Sequence, residues 1–286
     1  MRASFVVLLL SLGFFAPRLE AEPAMWLIQD ADSKIYLIGT VRVLRPELVW
    51  DSTKVLSAVG ESTELWLEVV GDDDPARVAA VMQKHGTDPK KPLSKKLNTR
   101  QKAKLVSVTL QHGIPGVSLE SLQPWAAAVM LSVVQVIKAG FDPNAGVEKI
   151  LQTQAEKEGD KVLGLETIEE QAGFFSTLSQ AEQIAFLELT LDQSAAGIES
   201  LDRLSKAWAE GDMETIGQVM VDEVKSKAPK LYDKLLVRRN KRWARQIAKI
   251  LAGSGVHQIA VGAGHLAGPD SLQMQLEKRG IKVEPH

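Results

Sequence analysis

Gln258-Ile259-Ala260-Val261-Gly262-Ala263-Gly264-His265 couples a short apolar run to two glycines and a histidine. An apolar run of this length that ends in a turn signal reads as a buried strand. Pro269 to Arg279, with Gly280 at the capping position, reads as the helix that follows, and Ile281-Lys282-Val283 as a closing strand. Strand, helix, strand units of this kind build α/β folds around a mostly parallel sheet. The two glycines allow close approach of the backbone, so His265 is presented as a ligand or general base, or else caps and packs the turn.

The same pattern recurs upstream. Trp26-Leu27-Ile28 and Ile35-Tyr36-Leu37-Ile38 flank the polar turn Asp30-Ala31-Asp32-Ser33, which predicts a hairpin whose second strand runs into Gly39-Thr40-Val41-Arg42. Pro46 to Val59 reads as a helix with Val49, Val55, Leu56 and Val59 on one side, leading into Glu64-Leu65-Trp66-Leu67-Glu68-Val69-Val70. That near-continuous apolar run predicts a strand covered on both faces. Pro75 to Gln111 reads as helical, with Lys90-Lys91 and Lys95-Lys96 forming a solvated face. Pro124 to Lys138 is almost wholly apolar and predicts a buried helix. Ala145 to Glu158 reads as a helix before the strand Lys161 to Leu165, and residues 167 to 252 as helices with breaks near Ser176 to Gln180, Gly211-Asp212 and Ala228-Pro229. The fold class is therefore α/β, with a central mostly parallel or mixed sheet flanked by helices and a large helical layer in the second half.

Arg2, the apolar run Phe5 to Phe15 and the small-residue pattern before Ala21 read as a secretory signal peptide over residues 1–21. The run is shorter than the roughly 20 residues a membrane-spanning helix needs. Residues 22–286 are expected to form a single exported domain, periplasmic or secreted, without a membrane span. The chain has no cysteine, which excludes disulfides and thiolate metal sites. A net charge of −2 gives no reason to expect nucleic acid as a partner.

Arg42, Glu68, Glu166 and His265 each lie at or just past the end of an apolar strand. If the strands are parallel, these side chains meet in the crevice where α/β folds bind ligands. Glu68 sits in an apolar strand and needs a cation, a metal or a donor. Glu166 precedes Glu169 and Glu170 at a helix start, where carboxylates also serve as caps. Arg239 and Asn240 fall on the inward stripe of a helix with Trp243 and Ile247, so they are candidates to hold an acidic ligand group, or Arg239 to pair with a glutamate. Arg238, Lys241, Arg242 and Arg245 read as its solvated face. His85, His112, His257 and His286 show no metal-ligand spacing and read as surface histidines.

The two ends of this pattern, Ile35 to Pro46 and Val261 to Asp270, resemble those of the TraB/GumN family, which is related to the Tiki metalloproteases. Leu65-Trp66-Leu67-Glu68, Leu119 to Trp125, Val162 to Gln171, Ala207 to Asp212 and Arg239 to Trp243 agree in order and spacing. The resemblance implies a Tiki/erythromycin-esterase-like fold and a metal-dependent hydrolytic site made of two Gly-x-x-His turns and a glutamate. It assigns catalytic roles and a divalent Mn, Co or Zn ion to Glu68 and His265, which match that pattern; Glu166 joins them as a catalytic candidate from its strand-end position. A peptide or another exported polymer is then the expected substrate. Gly39-Thr40-Val41-Arg42 departs from this pattern, because a guanidinium has no lone pair for a metal and repels a divalent cation. Arg42 beside Glu68 would instead form an ion pair and receive an anionic ligand. Two functions follow: a metal-dependent hydrolase of the peptidase kind, or a catalytically degenerate binding protein that uses the same crevice.

Overall fold

Asp30 closes the first hairpin by accepting the backbone N–H groups of Asp32 and Ser33 at 3.2 and 2.9 Å, the side-chain turn that aspartate favours. The strands on either side are β1 (Met25–Gln29) and β2 (Ser33–Thr40). They belong to a six-stranded sheet completed by β3 (Glu64–Val70), β4 (Lys161–Thr167), β5 (Gly255–Gly262) and β6 (Glu284–Pro285), in the order β4-β3-β5-β2-β1-β6. β2, β5, β3 and β4 run parallel, while β1 and β6 add an antiparallel edge. The fold is α/β. The computed structural model describes residues 21–48, 50, 53–196 and 198–286. All but the last residue of the proposed signal peptide, and Val49, lie outside these.

Alternation along β2 explains why the sheet is covered on both faces. Ile35 and Leu37 pack with Trp243, Ile247, Ile259, Val261 and Leu272 on one side. Tyr36 and Ile38 pack with Val55, Leu65, Leu67 and Trp208 on the other. Burying a large aliphatic side chain contributes on the order of 1.5–3 kcal/mol, so a register slip in β2 would exchange both apolar sets at once. The second half forms a helical layer interrupted where expected: between Ser176 and Gln180, at Gly211 with its positive φ, and before Pro229. Among the described residues no helix is long and apolar enough to cross a membrane.

Several local readings need correction. Of the helix expected from Pro46 to Val59, residues 46–48 and 50 are not helical while Thr53–Glu61 is, and the C-terminal helix is confined to Leu272–Glu277. The last strand lies at Glu284–Pro285, because Ile281 and Val283 cover the core while His286 N–H donates to Met25 O. Pro124–Lys138 is buried only in part; Val133 and Ile137 are half-exposed. Lys96 is buried between Asp88 (3.0 Å) and Gln123 (3.1 Å) rather than solvated. His257 is also buried, facing Glu64 at 3.1 Å.

Candidate functional site

Because β2, β5, β3 and β4 are parallel, their carboxyl ends open on one side of the sheet. Glu68 on β3 and Glu166 on β4 meet there, beside the 3-10 turn Ala263–Leu266 that carries His265. The helix Arg238–Leu251 crosses these ends and buries Arg239, Asn240, Trp243, Ala244 and Ile247. A π-helical segment, Asp233–Val237, runs directly into it.

Arg239 is the hub. Its Nη2 donates to Glu68 Oε1 at 2.6 Å and to Glu166 Oε2 at 2.8 Å, and its Nε to Glu166 Oε1 at 2.9 Å. Nη1 donates to Leu235 O and to His265 Nε2, both at 3.1 Å. The guanidinium also lies 4.7 Å from the Trp243 ring centre, a cation–π distance. Glu68 accepts further from Gln171 Nε2 at 2.9 Å and from Gly262 N–H at 3.3 Å. A Cβ on Gly262 would lie 3.3 Å from Glu68 Oε2, so this glycine permits the approach. Burial is the largest single influence on Glu68 and opposes its ionisation, but Arg239, His265 and Arg42 together outweigh it and hold the carboxyl well below the usual range. Burial pushes Glu166 up, against the pull of Arg239. Arg242, expected in solvent, closes on Glu166 as well.

His265 uses both ring nitrogens. Asn240 Nδ2 donates to the His265 and Asp270 carbonyls at 3.1 and 2.9 Å, which turns Oδ1 toward His265 Nδ1 at 2.6 Å. Nδ1–H therefore donates to Asn240, and Nε2 accepts from Arg239. Burial and the neighbouring guanidinium push the imidazole pKa down to about 3. The ring is neutral at neutral pH.

Arg42 does not pair with Glu68. It lies at the rim, where Nη1 meets Asp72 at 2.6 Å and Nε approaches Glu148 at 3.8 Å, with its side chain 45% exposed. The cause is local. Glu68 already holds Arg239, and Gly146 lets the helix Val147–Glu158 pass against the Arg42 carbonyl, where any Cβ would lie at 2.1 Å. That helix places Glu148 beside Arg42, and Thr40 Oγ1 donates to Glu148 at 2.7 Å. With two carboxylates answering it, Arg42 is not held open for an anion.

The five residues Glu68, Glu166, His265, Arg239 and Asn240 thus converge, and Arg42 stands apart. Gln171, Arg242, Asp72 and Glu148 escaped the sequence reading. Gln171 follows the buried Ile168 by three positions, the inward spacing of a helix. Glu148 gave no signal, because a carboxylate in a first helical turn is ordinary.

These groups do not fit a divalent metal. The first turn offers Arg42 instead of a donor, Arg239 occupies the space between Glu68 and His265, and the His265 Nε2 lone pair is engaged. Among the described residues no three His, Asp or Glu side chains converge as a ligand set.

Comparison with known proteins places the whole arrangement in one family. An uncharacterized protein of Treponema pallidum (strain Nichols) is 24% identical over 274 residues, covering 91% of this chain and 82% of that relative. No solved structure matches the chain. The family model described as TraB/PrgY/gumN matches residues 24–285, from just before β1 to the last strand, so the chain belongs to the TraB/PrgY/gumN family.

Proposed function

We propose that this chain is a non-hydrolytic binding protein of the TraB/PrgY/gumN family, exported by its N-terminal apolar segment, in which the strand-end cluster is a structural centre. One observation carries this reading: both nitrogens of His265 are committed to Asn240 and Arg239, so neither a proton nor a lone pair is free for a substrate. The Arg42 guanidinium at the rim supports it, because it replaces a metal donor with a fixed positive charge.

The second reading, a metal-dependent hydrolase acting on peptides, draws on the 4.0 Å approach of His265 Nε2 to Glu68 Oε2. It requires Arg239 to withdraw from both. Metal content and cleavage of a peptide library, measured on purified wild type and Arg42→His with Mn, Co or Zn supplied, separate the two. The binding reading expects no stoichiometric metal and no turnover in wild type. Stoichiometric metal together with cleavage by wild type overturns it.

A further inference from the structure

Between Lys84 and Leu119 the chain carries eight basic residues and one acidic residue, Asp88, although its net charge is −2. Phe, Trp and Tyr do not occur in this stretch. It ends the helix Pro75–His85 and continues as the short helix Leu93–Lys96, the helix Thr99–Gln111 and the 3-10 turn Gly116–Leu119. Glu120 joins the last turn to the short helix: its carboxylate accepts from Ser94 N–H and Oγ at 3.3 and 2.9 Å, and its carbonyl from Leu93 N–H at 2.8 Å. Ile114 N–H donates to Thr109 O at 2.8 Å and folds the same turn back on the helix Thr99–Gln111. Leu93, Leu97, Val108 and Leu119 pack beneath as one cluster, so the three elements present one surface.

The outward side of that surface is both cationic and apolar. Lys102, Val106 and Leu110 recur every four residues along one face of their helix. Val106 is 54% exposed, Leu110 75%, and Val117 in the adjoining turn 80%. Lys95, Arg100 and Lys102 are exposed and form no ion pair with any described residue. The nearby carboxylates are engaged elsewhere: Asp88 with the buried Lys96, Asp192 with Lys104, and Glu120 with Ser94.

This composition discriminates between anionic partners. Protein interfaces are enriched in aromatic residues and arginine and depleted in lysine, the reverse of what stands here. Single-stranded nucleic acid is held by stacking on aromatic rings, which the stretch lacks, and neither kind of polyanion gives open valine and leucine side chains an apolar medium. A bilayer surface supplies both needs. Lysines meet lipid phosphates as point charges, while aliphatic side chains enter the headgroup boundary.

We infer that this face docks the protein on an anionic lipid bilayer, with Val106, Leu110 and Val117 entering the boundary and Lys95, Arg100 and Lys102 meeting the phosphates. The inference goes beyond the binding-protein reading, and none of these residues belongs to the Arg239 cluster.

Co-sedimentation of the purified chain with vesicles of phosphatidylglycerol mixed into phosphatidylcholine, against vesicles of phosphatidylcholine alone, tests this. The expected result is a clear preference for the anionic vesicles that weakens as added salt screens the charge. Each cation near such a surface contributes a factor of about five. Lys95→Glu combined with Lys102→Glu should therefore weaken binding by about tenfold or more. Both positions are exposed, and a glutamate near the N-terminus of the helix suits its dipole. Leu110→Ser should weaken binding about threefold or more through lost apolar transfer, and its exposure keeps the fold intact. Equal binding to both kinds of vesicle, undiminished binding in the charge-reversed pair or in Leu110→Ser, or capture of polyglutamate or an oligonucleotide but not of vesicles overturns the inference. Metal content and peptide cleavage do not enter this readout, so the non-hydrolytic reading stands or falls separately.

Discussion

β3 and β5 set a glutamate against a histidine at both of their ends. At the amino ends Glu64 and His257 are register partners with 3.1 Å between carboxylate and ring nitrogen. At the carboxyl ends Glu68 and His265 are 4.0 Å apart. Both histidines are buried, yet only the second pair is wedged by an arginine. Glu64 reaches solvent and shares its charge with the exposed Lys161 at 3.3 Å and the indole N–H of Trp66. Glu68 is answered from inside by Arg239, which Glu166 shares while also meeting the partly exposed Arg242. Strand pairing alone thus produces an ordinary hydrogen-bonded pair, and the helix Arg238–Leu251 turns its counterpart into a buried network with shifted protonation.

The largest contrast should come from removing the wedge. Arg239→Met leaves two buried carboxylates without their common partner, and breaking a buried pair in this way costs about 3–5 kcal/mol. His257→Gln at the other end should cost no more than about 1 kcal/mol, the scale of a partly solvated pair. Urea unfolding of the two variants beside wild type measures the difference. Equal losses would mean that the two ends are energetically alike and that Arg239 is no hub.

Acid should sharpen the same contrast. The unfolded chain takes a proton on each histidine below a pKa of about 6.5, whereas His265 stays neutral in the fold down to about 3. Between these values the unfolded state binds more protons, so stability falls as pH falls. The slope approaches about 1.4 kcal/mol per pH unit, or roughly 2 kcal/mol between pH 6.5 and 5. That window lies above the ordinary range of Glu68, whose lowered carboxyl adds its own loss only in stronger acid. His265→Gln should flatten the slope by this amount, and unfolding curves at pH 5 and 6.5 would expose a wrong protonation state if the slope is unchanged.

How much of this was legible depended on whether the information was local. The hairpin turn at Asp30, the alternating faces of β2 and the four strand exits each follow from neighbouring residues, and so did the convergence of Glu68, Glu166 and His265 once the strands are parallel. The partner of Glu68 was not local. Arg42 and Arg239 both offered a guanidinium, and nothing in spacing says that Gly146 admits a helix whose Glu148 draws Arg42 to the rim. Lys96 and Arg242 were misread for a related reason. A basic residue among other basic residues looks solvated until a carboxylate from a distant segment pairs with it, as Asp88 does with the buried Lys96 and Glu166 with the partly covered Arg242.

The rim supplies the smallest expected effect and the finest test of where the buried network ends. Arg42 is 45% exposed and Asp72 35%, so water and salt screen their pair, and Arg42→Ala should cost at most about 1 kcal/mol. Glu148 would absorb part of the change. Burial already pushes its carboxyl up, and Arg42 holds it down, so without Arg42 it takes a proton at higher pH and keeps its hydrogen bond with Thr40. The loss in Arg42→Ala should therefore shrink further at pH 5.5, where that proton is more readily taken. A cost for Arg42→Ala near that of Arg239→Met, undiminished at the lower pH, would show that rim and centre form one charge network and that Arg42 belongs to the buried cluster.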